Sequence, residues 1–249
     1  MSQEKDILVI KFGSETVADK WGPVQGRLDT YSRQISRLPS GVIVVSSGAV
    51  LAGKAEAPEE DDDQVLAGLG SSTIVEAWKK SLRKYGLKGS QVPVTDHEID
   101  DPVEGHTLRT ALIKNLQRGI IPIVNTNDQL SVEELGKRKW KGENDGLAAH
   151  VASLVGAGAL CLMTEKNGVF DDQKQTIDKV AYDPEEHRLI TTMIEARGPK
   201  NQGIAAKVRA AIVAADAGVD AYIAGASQAF EVVLAGQTGT HFAARPQDM

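Results

Sequence analysis

This chain has 249 residues and almost no cysteine. The single residue, Cys161, excludes an internal disulfide framework and any metal site built from several cysteines. No run of about 18 apolar residues exists, so nothing in the sequence reads as a membrane span. The start, MSQEKDILVI, lacks the basic region and the apolar stretch of a signal peptide. A basic excess is also missing: 28 Lys and Arg face 34 Asp and Glu, a net charge of −6, which argues against a nucleic-acid binder. No repeat and no Ser/Gly/Pro-rich linker is visible, so one domain over residues 1–249 is expected. His97, His106, His150, His187 and His241 show no metal-ligand spacing and build no clear nucleophile–base pair. These absences leave a soluble, cytoplasmic globular protein as the expectation.

What is present is ordinary for such a protein: 41% apolar and 25% charged residues. Apolar runs alternate with helical patterns. Strands are expected at Ile7–Phe12, Val42–Val45, Val92–Val94, Ile120–Val124, Ala159–Met163 and Val219–Ile223. Val24, Leu28, Tyr31, Ile35 and Leu38 share one helix face. Further helices are expected over Gln64–Tyr85, Leu108–Leu116 and Leu147–Val155. Ile204, Val208, Ala211, Ile212 and Ala215 line a last one. Gly86, Gly119 and Gly218 read as helix stops. Continuous apolar strands separated by helices predict an α/β fold, a mostly parallel central sheet covered on both faces. The acidic run Glu59–Asp63 reads as a solvated loop or as a lid.

In such sheets ligands bind beyond the carboxyl ends of the strands. The first strand ends in Lys11-Phe12-Gly13-Ser14. A buried ammonium calls for an anion, and Gly13 and Ser14 offer backbone N–H groups to a phosphate; a lysine snorkelling from a strand end is the other reading. The second strand runs into Ser46-Ser47-Gly48-Ala49, either an anion site at a helix start or a plain serine cap. Gly48–Lys54 matches the start of a P-loop, but Ala55 replaces the required hydroxyl and the segment looks helical. Asn125-Thr126-Asn127-Asp128 and Gly142-Glu143-Asn144-Asp145 bracket one loop and suggest a shared polar pocket, with Asn144 a possible helix cap. Lys207 is expected in a first helical turn, where the dipole disfavours a cation unless an anion binds.

These segments together resemble the amino acid kinase family, and within it the branch that phosphorylates the side-chain carboxylate of glutamate. The likeness rests on Val9–Ser14, Val44–Ala49, Gly119–Asp128, Gly142–Ala148, Leu162–Asp171 and Gly203–Lys207, and spans about the whole chain. It implies a three-layer α/β/α sandwich, with an acceptor-binding N-terminal part and a nucleotide-binding part from about residue 160. It implies a kinase that uses ATP with Mg²⁺ and makes L-glutamyl 5-phosphate in proline biosynthesis. By the resemblance, Lys11 and Lys207 neutralise the transferring phosphoryl group and Asp128 organises both lysines. Ser47, Gly48, Asn125, Asp128, Asn144 and Asp145 match acceptor-binding positions. Lys11, Gly13, Ser14, Thr164, Glu165, Gly203 and Lys207 match nucleotide-binding ones. A dimer or tetramer is implied; the small RNA-binding-type domain that many relatives carry is a point of departure, and it is not expected within these residues.

Three features depart from the family pattern. Lys200-Asn201-Gln202-Gly203 keeps one glycine of a glycine-rich stretch, Glu165 replaces an aspartate, and Thr107 and Thr126 stand where asparagine and glutamate are common. A different acceptor (another amino acid, carbamate or a phosphate monoester) or a non-catalytic sensor on the same fold therefore stands as the alternative.

Overall fold

The computed structural model describes residues 6–95, 98, 101–126 and 144–246, except for the side chain of Lys200. The apolar runs are strands, as their burial requires. Every residue of β1 (Ile7–Phe12) is buried. The other long strands are β4 (Gly41–Ser46), β5 (Lys88–Val94), β6 (Ile120–Thr126), β7 (Ala159–Thr164) and β9 (Asp220–Gly225). Short β2 (Ala18–Asp19) and β3 (Gly22–Pro23) form an antiparallel hairpin. The remaining strands are β8 (Lys179–Val180) and β10 (Thr240–Phe242).

Helices occupy the connections: α1 (Ser14–Val17), α2 (Gln25–Ile35), α3 (Ala49–Glu56), α4 (Asp63–Lys84), α5 (Pro102–Leu116), α6 (Asn144–Val155), α7 (Pro184–Glu195), α8 (Gln202–Asp216) and α9 (Phe230–Leu234). Three begin on an aspartate cap. Asp62 accepts from the N–H groups of Gln64 and Val65. Asp101 and Asp183 do the same for α5 and α7, each followed by a proline at the first helical position. The acidic run is thus solvated at its start and a working cap at its end.

The chain packs as two compact units, one of residues 12–144 and one of residues 1–11 with 145–249. In the first, strands lie in the order β5-β6-β4, with β5–β6 and β6–β4 parallel. Three of the chain's few aromatics meet here. The Phe12 ring lies 4.6 Å from that of Tyr31 and 5.0 Å from that of Trp78. Trp78 is fully buried, and its Nε1 donates to Ser46 Oγ at 2.9 Å. In the second unit the order is β1-β7-β9-β10-β8. The β7–β9 and β10–β8 pairs are parallel, and β9–β10 is antiparallel. Its core joins Leu147, Val151 and Val155 of α6 to Leu160 and Leu162 of β7, Val208 and Ala211 of α8, and Phe242.

The mostly parallel α/β class is the one expected from the sequence. Two details differ. The β5 strand begins at Lys88, four residues ahead of the expected start, because its outer position leaves a half-polar pattern that apolar periodicity does not reveal; Pro93 is tolerated at such an edge. The α8 helix begins at Gln202, directly after a 3₁₀ turn over Pro199–Asn201, so Lys207 lies in the second turn and not the first. Helix α7, the short helices α1 and α9, the hairpin, β8 and β10 had no counterpart among the expected elements: the short ones are two to five residues long, whereas α7 is amphipathic, burying His187, Ile190 and Ile194, and its pattern was missed.

Candidate active site

Lys11 is the fifth residue of β1 and is 4% exposed. A strand buried on both faces leaves its side chain no route to bulk water, so the ammonium needs a partner inside the protein. The partner is Asp145, in the first turn of α6, where the helix dipole also favours a carboxylate. Lys11 Nζ stands 2.6 Å from Asp145 Oδ1. The other oxygen, Oδ2, accepts a hydrogen bond from Lys207 Nζ at 3.0 Å. One buried carboxylate therefore holds two buried ammonium groups, all three on elements of the same unit. Burial by itself would push the Asp145 carboxyl up. The charges of Lys11 and Lys207, with their hydrogen bonds, outweigh it and hold the carboxyl below the usual range. Each ammonium has three donors, so the bond to Asp145 alone exhausts neither.

The sequence pointed to both lysines but gave the organising part to Asp128, which lies outside the described residues along with Asn127, Gly142 and Glu143. Asp145 was expected as a substrate neighbour. One signal was there to find: a carboxylate opening a helix whose next residues are all apolar or small is placed to be buried, and a buried carboxylate needs cations.

In the other unit, Ser47 and Gly48 follow β4. Ser47 is 8% exposed, and its N–H donates to the Phe12 carbonyl at 3.0 Å. Gly48, not a serine, is the cap of α3, and among the described residues no side-chain cap hydrogen bond is made there. Gly48 has φ 103°, a left-handed conformation that a side chain would strain. The segment Ala49–Glu56 is helical, as expected against the P-loop pattern. Gly13 caps α1 and accepts at its carbonyl from the Thr16 hydroxyl at 2.6 Å, while Ser14 is exposed. Asn125, at the carboxyl end of β6, is 4% exposed, and its Nδ2 has no hydrogen-bond partner among the described residues. The Thr126 hydroxyl lies 3.4 Å from Asn144 Oδ1 and 3.5 Å from Asn125 Oδ1. The single hydroxyl proton can be donated to one of these amide oxygens at a time. Asn144 is the first residue of α6. Thr107 is exposed and donates back to the Val103 carbonyl at 3.1 Å.

The remaining expected positions lie in the second unit. Thr164 ends β7 and pairs with Gly225 at the end of β9. Glu165 and Gly203 are exposed, Gly203 as the second residue of α8. Cys161 is fully buried, and burial pushes its thiol up to about 12, so it acts as a small apolar residue. No helix among the described residues is long and apolar enough to cross a membrane.

Known proteins share this arrangement of elements. Over 96% of the chain, glutamate 5-kinase of Rhodococcus opacus is 34% identical, and the match spans 68% of that protein. The Mycobacterium tuberculosis glutamate 5-kinase is 33% identical over 96% of this chain and 66% of its own length. The chain thus spans about two thirds of these relatives. Among solved structures, carbamate kinase from Giardia lamblia bound to AMP-PNP has a TM-score of 0.69 at 16% identity, covering 96% of this chain and 98% of that one. A structure from Aeropyrum pernix, project APE1968, has a TM-score of 0.65 at 16% identity, over 96% and 100%. These structural likenesses establish the fold, a three-layer α/β/α sandwich. Residues 6–225 match the amino acid kinase family, and the chain belongs to it.

Proposed function

We propose that this chain transfers the γ-phosphoryl group of ATP to a side-chain carboxylate, with L-glutamate as the acceptor and L-glutamyl 5-phosphate as the product. The observation that carries this reading is the buried pair of ammonium groups on one carboxylate. A carboxylate acceptor is already ionised at neutral pH, so no general base is needed. One carboxylate oxygen forms a bond to the γ-phosphorus, the bond from that phosphorus to the bridging oxygen breaks, and ADP leaves. The obstacle is an anion approaching an anion, and positioning with charge neutralisation is what lowers it. Lys11 and Lys207 do this from a strand and a helix that a packed core holds rigid. The organising part falls to Asp145, and Asp128 is assigned to acceptor binding.

Ser47, Gly48, Asn125 and Asn144 bind the acceptor in this reading, supported by the start of α3, which has no side-chain cap among the described residues, and by the buried Asn125 amide. Gly13, Ser14, Thr164, Glu165 and Gly203 bind the nucleotide. Mg²⁺ enters on the ATP phosphates and supplies further neutralisation of their charge. The chain acts in the cytoplasm, at the first step of proline biosynthesis, as a dimer or larger assembly.

The test is ATP consumption against a panel of acceptors with hydroxylamine present to trap an acyl phosphate. A hydroxamate with glutamate is expected. Hydroxamate or ADP formation with another acceptor alone would replace the substrate, and folded protein that binds nucleotide but turns over nothing would replace the enzyme with a sensor.

A further inference from the structure

The segment after β7 folds back over the carboxyl end of its neighbour β9. Thr164 and Gly225 are the last paired residues of these two parallel strands, and the Thr164 carbonyl accepts from the Ala226 N–H at 2.7 Å. Three residues on, the half-buried Asn167 makes two bonds at once. Its Oδ1 accepts from the Gly225 N–H at 3.0 Å, and its Nδ2 donates to Thr238 Oγ1 at 2.6 Å. The orientation of the amide follows from the first bond, because only an oxygen can meet a backbone N–H. The next two residues are held as firmly. The Val169 N–H donates to Thr240 Oγ1 at 2.8 Å. A Cβ on Gly168 would lie 2.8 Å from both Thr176 Cγ2 and Thr240 Oγ1. The Asn-Gly pair is therefore a clasp joining three segments, and more than a turn.

The clasp sits where open α/β sheets take their ligands, and the turn it holds presents the exposed side chains of Glu165 and Lys166. We propose that Asn167 is a positioning residue for nucleotide binding: its amide locks the Thr164–Lys166 turn onto the end of β9, so that the turn meets ATP already ordered. This rests on the assignment of Thr164 and Glu165 to the nucleotide in the reading above. A turn that must be ordered at the moment of binding weakens affinity by the cost of ordering it.

Three variants test this: Asn167→Ala, Asn167→Asp and Thr238→Val. Each is measured for the Kd of a non-hydrolysable ATP analogue by calorimetry, for the KM of ATP and of the acceptor, and for kcat. Asn167→Ala loses both bonds and is expected to raise the analogue Kd and the ATP KM about tenfold, with the acceptor KM within about twofold. Asn167→Asp keeps the acceptor for Gly225 and takes a hydrogen bond from the Thr238 hydroxyl, so it recovers most of the affinity. Thr238→Val removes one bond, keeps the shape and is expected to raise the Kd about threefold; it decides the matter if the alanine variant does not fold. An unchanged analogue Kd in the folded variants overturns the proposal, as does a fall in kcat alone, which marks a merely structural role. Analogue binding by the unaltered chain without turnover of any acceptor removes the phosphotransfer reading but leaves the Asn167 result standing. No analogue binding by the unaltered chain removes both.

Discussion

A carboxylate shared by two buried ammonium groups stabilises a protein only while it is ionised. The Asp145 carboxyl is held below its ordinary range, so its value in the folded chain is lower than in the unfolded one. The stability it contributes is then complete above the ordinary value of about 4 and is lost as pH falls through the lowered value. Asp145→Asn removes the charge but keeps the shape, leaving Lys11 and Lys207 without their shared counter-ion. The expected cost is about 3–5 kcal/mol at neutral pH, together with loss of phosphoryl transfer. Urea unfolding of both proteins between pH 7 and pH 3 checks this: the gap is constant near neutrality and narrows only at the acid end. A gap that is absent at pH 7, or that persists unchanged to pH 3, would refute it. Lys11 was legible in the sequence because an ammonium inside an apolar run is conspicuous. Its partner was not, because Asp145 and Lys207, 62 positions apart, are joined only by the packing of α6 and α8 on the sheet.

Helices α3 and α4 touch backbone to backbone. A Cβ on Gly70 would lie 2.0 Å from the Ala49 carbonyl oxygen and 2.3 Å from the Gly53 nitrogen, and one on Gly53 would lie 2.0 Å from the Leu66 carbonyl oxygen. None of these neighbours is a flexible side chain that could swing aside. Gly70→Ala must therefore push the helices apart, at about 3 kcal/mol, the upper end of ordinary overpacking. That corresponds to a fall in melting temperature of about 6–12 °C, read by calorimetry. A melting temperature that stays level or rises, as the better helix propensity of alanine alone would give, would show that the contact yields. In the sequence, Gly68-Leu69-Gly70 falls short of a dinucleotide-binding pattern and says nothing of this contact. The long α4 helix itself was legible from its periodicity and its Gly86 stop, since both are written within a few residues of one another. The contact that needs a glycine was not, because it depends on which helix lies alongside.

At the scale of the whole molecule, the chain forms two compact units, each with its own sheet strands and covering helices. Some large apolar side chains remain uncovered: Trp21 at the hairpin tip is 81% exposed, Val103 73% and Leu189 55%. Light scattering at micromolar concentration is expected to give the mass of a dimer or larger, the assembly proposed above; a monomer would refute it. The order of the long strands and of the helices between them, α7 apart, was determined by the sequence alone, because apolar periodicity and Asp and Gly punctuation act over about one element's length. Lysine, asparagine and aspartate near strand ends also stand out in the sequence against an apolar background, as candidates for the chemistry. Which of them meet was decided by tertiary structure. Asp145 between two lysines, Asn167 across two strand ends and Gly70 against a helix backbone all join residues distant in the chain, and such partners are selected by how a whole core packs.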